Sequence, residues 1–328
     1  MFNATMSNYP GGFKNGVMIR GMPLVQTHPG KVFWVGNAAA TVLTGQRAAS
    51  DGNQGSFNDP FSTLDYAINQ CVASRGDVIM IKPGHAETFS NATSLDFDKA
   101  GVAIIGLGLG SLRPTFTFDT AAAATIDVTV ANVSIQGCLF VANFADVASC
   151  FTLTTAKDFT VEYCEFRDTS ASLNFINIVD TNATANAADG LYFCHNRILS
   201  SGTTAATTAI EVDAAISRMT VNDNFYVGAA ISNTPALIEA ATFDMTNLEV
   251  ARNIVYRPNT DTATGGILLE GSTTASTGMV YGNHCKTLDV AGMLIMTTGS
   301  VLGFHENYLS GTADTSGIII PAADSDAS

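Results

Sequence analysis

The amino-acid sequence predicts an all-β chain: a right-handed parallel β-helix, a solenoid of three short strands per coil with a capping α-helix at its N-terminal end. Three observations predict it. A unit recurs over the C-terminal two thirds of the chain, its successive members 24 to 32 residues apart. Within each unit apolar residues alternate with a period of two, and the 3.6-residue period of helical repeats is absent. One amphipathic helical stretch precedes the units, where the open end of a stacked core needs a lid.

The repeat is aligned on an anchor position occupied by Cys138, Cys164, Asn196, Asn224, Asn253, Asn283 and Asn307. Five residues before it stand Val133, Phe159, Leu191, Met219, Leu248 and Leu302; the Asn283 unit breaks this column with Gly278. Three before it stand Ile135, Val161, Phe193, Val221, Val250, Val280 and Phe304. Two after it stand Phe140, Phe166, Ile198, Tyr226, Val255, Cys285 and Leu309. The first two columns share one strand face, whereas the odd step to the third requires the chain to turn at the anchor. Asn suits such a turn because it tolerates the left-handed conformation and its amide can bond backbone groups. Stacked in successive coils, these amides are expected to form a hydrogen-bonded ladder. A third strand is expected through Leu153, Ile178, Val212, Ile238, Leu269, Ile295 and Ile320, after loops of variable length rich in small polar residues.

Ahead of the repeat, Val102, Ile104 and Leu109 read as an earlier coil, and residues 76–84 as an earlier strand. Leu64, Ala67, Ile68, Cys71 and Val72 share one helical face over residues 62–74, with Ser62 or Thr63 as N-cap and Gly76 just past the end. The order KVFWVGN, DGNQG, NDPFSTLDYAINQC, GDVIMIKPGHAET resembles the opening segment of pectate-lyase-like right-handed β-helix proteins. With the anchored coils, the resemblance spans residues 31–325. It implies the fold and leaves the function open. The low-charge, Ala/Thr-rich coils behind a glycine-rich arm look like virion proteins of tailed bacteriophages.

Composition narrows the function classes. Asp and Glu number 29 against 15 Lys and Arg, a net charge of −14 that repels phosphate backbones, so no nucleic-acid partner is expected. No apolar run is long enough to span a membrane, and the N-terminus does not read as a signal peptide. The cysteines lack C-x-x-C spacing and sit in apolar patterns, as expected for free thiols in a reducing cytosol; Cys138 and Cys164, one coil apart, are expected to stack as thiols.

Each chemical motif has a plainer alternative. The Gly106–Ser111 run lacks the helix that would hold a pyrophosphate, since Pro114 stands in its place, and reads as a strand-end turn. DGNQG has Ser62 where a calcium loop needs a bidentate Glu, and reads as a turn before the cap helix. His195, Asp223, Arg252 and Glu306 share the position before the anchor, and the first three are placed to touch. Polysaccharide lyases of this fold use clustered carboxylates with calcium and an Arg or Lys base; here the carboxylate is flanked by His and Arg, as in a solvated ion-pair ladder. His195, His284 and His305 stand at different offsets, so no metal site is expected, and no cofactor site is read.

The domain reading is an arm over 1–30, an opening strand, turn and cap helix over 31–76, the solenoid over 77–325 and a tail over 326–328. Phe13, Val17, Met18, Ile19, Met22, Leu24 and Val25 make the arm too apolar for a free tail, so it is read as a partner-binding anchor. Together with the resemblance, this implies a non-enzymatic virion structural protein: a capsid decoration or head fibre, made in the bacterial cytoplasm and displayed on the virion surface. Its expected partners are the major capsid protein and its own copies in a homotrimer. The alternative is a tailspike-like protein that binds or degrades surface polysaccharide.

Overall fold

The computed structural model of the chain describes residues 30–39, 44–89, 95–201, 207–228, 236–240, 243–257, 266–269, 276–287, 294–296 and 301–310, with the short strands Met18–Ile19, Met22–Pro23, Gly317–Ile318 and Ala322–Ala323. It is an all-β parallel solenoid. Among the described residues, three long sheets hold ten, ten and nine strands. Sheet I runs from Val32–Val35 to Val301–His305, sheet II from Ala86–Phe89 to Gly317–Ile318, and sheet III from Leu95–Phe97 to Ala322–Ala323. Each coil contributes one strand to each sheet. Pairing is parallel between coils, and the last step in sheet II, Tyr308 with Ile318, is antiparallel.

The core is built from columns. In sheet I, Ile79, Ile104, Ile135, Val161, Phe193, Val221, Val250, Val280 and Phe304 are successive Cα partners. In sheet II, Phe116, Phe140, Phe166, Ile198, Tyr226, Val255, Cys285 and Leu309 are likewise in register. Period two sends the side chains from Phe116 to Cys285 inward; Phe116, Phe140 and Phe166 stack with centroids 5.6 and 5.3 Å apart. At Gly278, a Cβ would meet the Leu248 carbonyl oxygen at 2.1 Å, so the column breaks where two strands approach too closely for a side chain.

The third strand lies in the expected segments, but the expected residues do not share one register. Phe151, Val179, Ile210, Ile238 and Ile267 are buried successive Cα partners. Of the expected residues, Ile238 belongs to this column, buried Leu153, Val212 and Leu269 stand two residues after it, buried Ile178 stands one residue before it, and Ile320 lies outside the described residues. Loops of unequal length separate this strand from the anchor, so distance along the chain does not preserve register there.

The corner between sheets I and II also differs from expectation. The left-handed residue is not the anchor but the one before it: Tyr163, His195, Asp223, Arg252 and Glu306 have φ from 52 to 57°. The reversal turns the anchor inward, and Asn196, Asn224, Asn253, Asn283 and Asn307 are buried. Each amide Oδ1 accepts the backbone N–H of the preceding anchor: Cys164 to Asn196 at 2.9 Å, Asn196 to Asn224 at 2.9 Å, Asn224 to Asn253 at 2.9 Å, Asn253 to Asn283 at 3.0 Å and Asn283 to Asn307 at 3.1 Å. Each Nδ2 donates to the carbonyl of the minus-three residue one coil earlier, as from Asn253 to Val221 at 2.7 Å. Backbone groups that a sharp corner would leave unpaired in an apolar interior are thereby satisfied.

Helix α1 (Leu64–Asn69) closes the N-terminal end, burying Leu64, Ala67 and Ile68 against the first coils. It is shorter than expected. Val72 lies beyond it and is 51% exposed, and the chain after it turns at Ser74 and Gly76, both with positive φ. Thr63 caps the helix, and Asp51 of DGNQG accepts the N–H groups of Ser62 and Thr63 at 2.9 and 3.0 Å. Gly55 is required there, because a Cβ would sit 2.3 Å from the Phe61 ring. Fully buried Asp77 joins three segments by accepting from Lys31 N–H and Val72 N–H, each at 2.7 Å, and from the Arg75 guanidinium. Burial pushes its carboxyl up, but Arg75 and the two N–H groups outweigh this and hold it below its ordinary value. Residues 55–61 pair with the outer edge of the first sheet I strand, through Trp34 N–H to Gly55 at 2.8 Å and Gly36 N–H to Phe61 at 2.9 Å.

Of the arm, Phe13, Val17, Leu24 and Val25 lie outside the described residues. Met18 and Ile19 pair antiparallel with Pro23 and Met22. Leu109, expected in the core, is 81% exposed beside a short 3-10 turn at Gly110–Leu112.

Candidate functional site

Two side-chain columns on the outside of the solenoid hold most of its chemistry. The first lies at the left-handed corner, where the reversal that turns the anchor inward turns the preceding side chain outward. Its members touch from coil to coil. The Tyr163 and His195 rings stack at 4.8 Å, and His195 lies between Glu162 at 3.6 Å and Asp223 at 3.8 Å. Arg252 grips Asp223 through Nε at 2.9 Å and Nη2 at 2.8 Å, and donates from Nη1 to the Tyr281 hydroxyl at 3.2 Å. The Tyr281 hydroxyl donates to Glu249 at 2.8 Å, and its ring stacks on His305 at 4.9 Å. Glu306 shares the position but is separated from Arg252 by Gly282, which has no side chain to bridge the gap.

The bidentate grip decides what this column can do. The Arg252 hydrogen bonds hold the Asp223 carboxyl below its ordinary value. The same bonds to Asp223, with that to Tyr281, push the Arg252 guanidinium up. A base must release its proton or accept one near neutral pH, and neither partner is tuned for that.

The second column faces outward from sheet III. Asp96, Asp127, Thr152, Asp180, Glu211 and Glu239 are successive Cα partners. Parallel strands repeat at about 4.8 Å, so like charges are held one above another. Burial, followed by Glu239, Asp213 and Asp180, pushes the Glu211 carboxyl up to about 8. Glu239 is also raised, chiefly by burial, although Thr208 Oγ1 donates to it at 3.1 Å. Burial raises Asp96, Asp127 and Asp213 in the same direction. A carboxyl group that keeps its proton at neutral pH beside a second carboxylate has the elements of general acid–base chemistry.

The sequence reading missed this column because the residues it aligned along the third strand do not share one register. A signal was present: Leu95-Asp96, Ile126-Asp127, Val179-Asp180, Ile210-Glu211 and Ile238-Glu239 each set an acid directly after a core aliphatic. Among the described residues, no group of three or more His, Cys, Asp and Glu is arranged to hold a metal ion. All six cysteines are free and buried; Cys138 and Cys164 occupy the anchor position, and burial pushes the Cys164 thiol up to about 12.

No protein-family model and no curated protein matches the chain. Among solved structures, it is similar to one described as a rhamnogalacturonan lyase, at 15% identity and a TM-score of 0.41, over 89% of this chain and 90% of the other.

Proposed function

We propose that the chain is a non-enzymatic structural protein of a bacteriophage virion: a capsid decoration or head fibre that meets the major capsid protein through residues 1–30 and stands on the virion surface as a homotrimer. The observation that carries this reading is the closure of the corner column. Its charges bind one another from coil to coil, alongside a buried asparagine ladder, and both arrangements serve rigidity. A stiff rod with an apolar arm suits attachment to a shell, where many copies multiply weak contacts. The test is a chain beginning at residue 31. It keeps the native denaturation midpoint and fails to co-sediment with particles that retain the full chain. Full occupancy by the truncated chain refutes the anchor, and particles that no antibody to residues 77–310 labels refute the virion role.

A second reading, a tailspike-like protein acting on surface polysaccharide, is favoured by one observation: the proton-retaining Glu211 beside Glu239. Incubation with host polysaccharide decides it. New reducing ends or unsaturated uronates from the native chain, lost in Glu211→Gln, establish it.

A further inference from the structure

The outer face of sheet II contrasts with that of sheet III. Its first outward column carries Arg197, Phe225, Ile254, His284 and Tyr308 as successive Cα partners, all exposed. The hydrophobic members are exposed by 37% at Phe225, 47% at Ile254 and 46% at Tyr308, far more than an inward column allows. Within the neighbouring outward column, exposed Arg167, then Leu199, Val227 and Tyr256, then exposed Lys286 are successive Cα partners. Arg197 lies over the Phe225 ring at 5.8 Å and Lys286 over the Tyr256 ring at 5.4 Å. The outward carboxylate of this face, Glu165, is already engaged by Arg113 at 3.0 Å and by Arg167. In a chain of net charge −14, this face is apolar and cationic.

The occupant it fits is a second copy of this chain. In two coils a cation and a carboxylate stand at one height: Arg197 and Glu211 in one, and in the coil before it Asp180 and Arg167, which also binds Glu165 of its own chain. Two copies with parallel axes share one repeat along the sheets, so a rotation about an axis along the solenoid keeps each coil at its height. That places Arg197 level with Glu211 of the partner subunit and Arg167 level with Asp180 of the partner subunit. We propose that copies of this chain associate side by side, the cationic–aromatic face of sheet II on one seated against the acidic face of sheet III on the next. Such a contact uses different surfaces on its two sides, and with no translation along the axis it forms a ring when the rotation between copies divides a full turn. It brings cations to stacked like charges and covers the exposed aromatic rings, which together supply specificity and buried apolar area. The interface gives the proposed homotrimer its contact but does not rest on the virion role, because it is measured on the purified chain alone.

The experiment is light scattering coupled to size exclusion at micromolar concentration, on the full-length chain and three charge variants. The native chain runs as a closed oligomer. Arg197→Glu weakens association more than about tenfold, and so does Glu211→Lys. The double variant Arg197→Glu with Glu211→Lys recovers it. Circular dichroism and the denaturation midpoint show that each variant is folded. A monomeric native chain overturns the proposal. So does an oligomer indifferent to Arg197→Glu, or a double variant that fails to recover. Failure here leaves particle labelling unaffected, and unlabelled particles leave this association unaffected.

Discussion

Replacing Asn253 by Ala isolates the work of the asparagine ladder. Asn253 is fully buried. Its Oδ1 accepts from Asn224 N–H at 2.9 Å and Asn224 Nδ2 at 3.0 Å, and its Nδ2 donates to the Val221 carbonyl at 2.7 Å and to Asn283 at 2.9 Å. Alanine keeps the backbone and removes all four bonds. Asn224 Nδ2 retains the Phe193 carbonyl at 2.9 Å, so the groups stranded without these bonds are the Asn224 N–H and the Val221 carbonyl. Each buried group left without a partner costs about 1–3 kcal/mol, and the vacated amide volume adds a small cavity cost, so the expected loss is about 3–5 kcal/mol. That is a large share of the roughly 5–15 kcal/mol stability of an ordinary domain. Asn253→Asp is expected to be worse at neutral pH, since an oxygen then faces the Val221 carbonyl and the Asn283 Oδ1 and a charge is buried. Its stability recovers on acidification, because the protonated acid donates where the amide did. Guanidinium unfolding followed by circular dichroism measures the loss, and hydrogen exchange at the Asn224 amide locates it. Exposed Asn69→Ala is the control. A midpoint for Asn253→Ala within about 0.5 kcal/mol of native, at unchanged slope, refutes the claim that the ladder satisfies buried backbone.

Three further outcomes are expected. Ile68→Asp places an unpaired charge between α1 and the first coils and should cost about 3 kcal/mol or more, read as a lowered thermal midpoint; an unchanged midpoint means that α1 does not seal the core. Asp223→Ala should change stability by no more than about 1 kcal/mol, because its partners are solvent-exposed; a larger loss in denaturant titration contradicts the reading of a surface ladder. The Glu211 carboxyl rises from 4.5 unfolded to about 8 folded, so its favourable contribution is complete below pH 4.5 and is lost as pH rises through 8. Native stability should therefore decline across that window by about 1–2 kcal/mol after allowance for solvent screening. Glu211→Gln should flatten this decline, and an equal slope in both proteins rejects the assignment.

What the sequence disclosed depended on the distances the chain conserves. The step from minus three to plus two spans one short corner in every coil, so sheets I and II were legible from Ile135, Phe140 and their equivalents. The third strand follows loops of unequal length, so counting from the anchor aligned Leu153 with Ile178, both buried on sheet III, although Leu153 stands two residues after Phe151 and Ile178 one residue before its partner Val179. The acidic column went unseen for the same reason. The corner was misread differently: Asn tolerates left-handed backbone, but its amide is needed inside, so the strained conformation passes to whichever residue precedes it. Tyr163, His195 and Arg252 accept it because what each gains is an outward side chain in contact with the next coil. Val72 and Leu109 fit apolar patterns by spacing yet are exposed, since the helix ends before one and a loop carries the other outward.

A parallel solenoid turns residues far apart in sequence into neighbours at one strand spacing, so its chemistry is written in columns. Two of the outward columns, the corner and the acidic column of sheet III, resolve that constraint in opposite ways. At the corner, Arg252 closes on Asp223, and the His195 ring lies between Asp223 and Glu162, so the groups of the column bind one another within the chain. On sheet III, Asp180, Glu211 and Glu239 repeat one sign, and Glu211 relieves the repulsion by holding a proton that a carboxyl normally gives up. A cation supplied from another copy relieves the same repulsion without the proton. The two forms of relief compete for one carboxylate, so association through this face must release protons, and raising the pH toward 8 must strengthen it. An enzymatic use of Glu211 demands the opposite: a face left free, and activity that falls as the proton is lost. The pH dependence of self-association, measured beside the pH dependence of any glycan cleavage, therefore separates a structural column from a catalytic one.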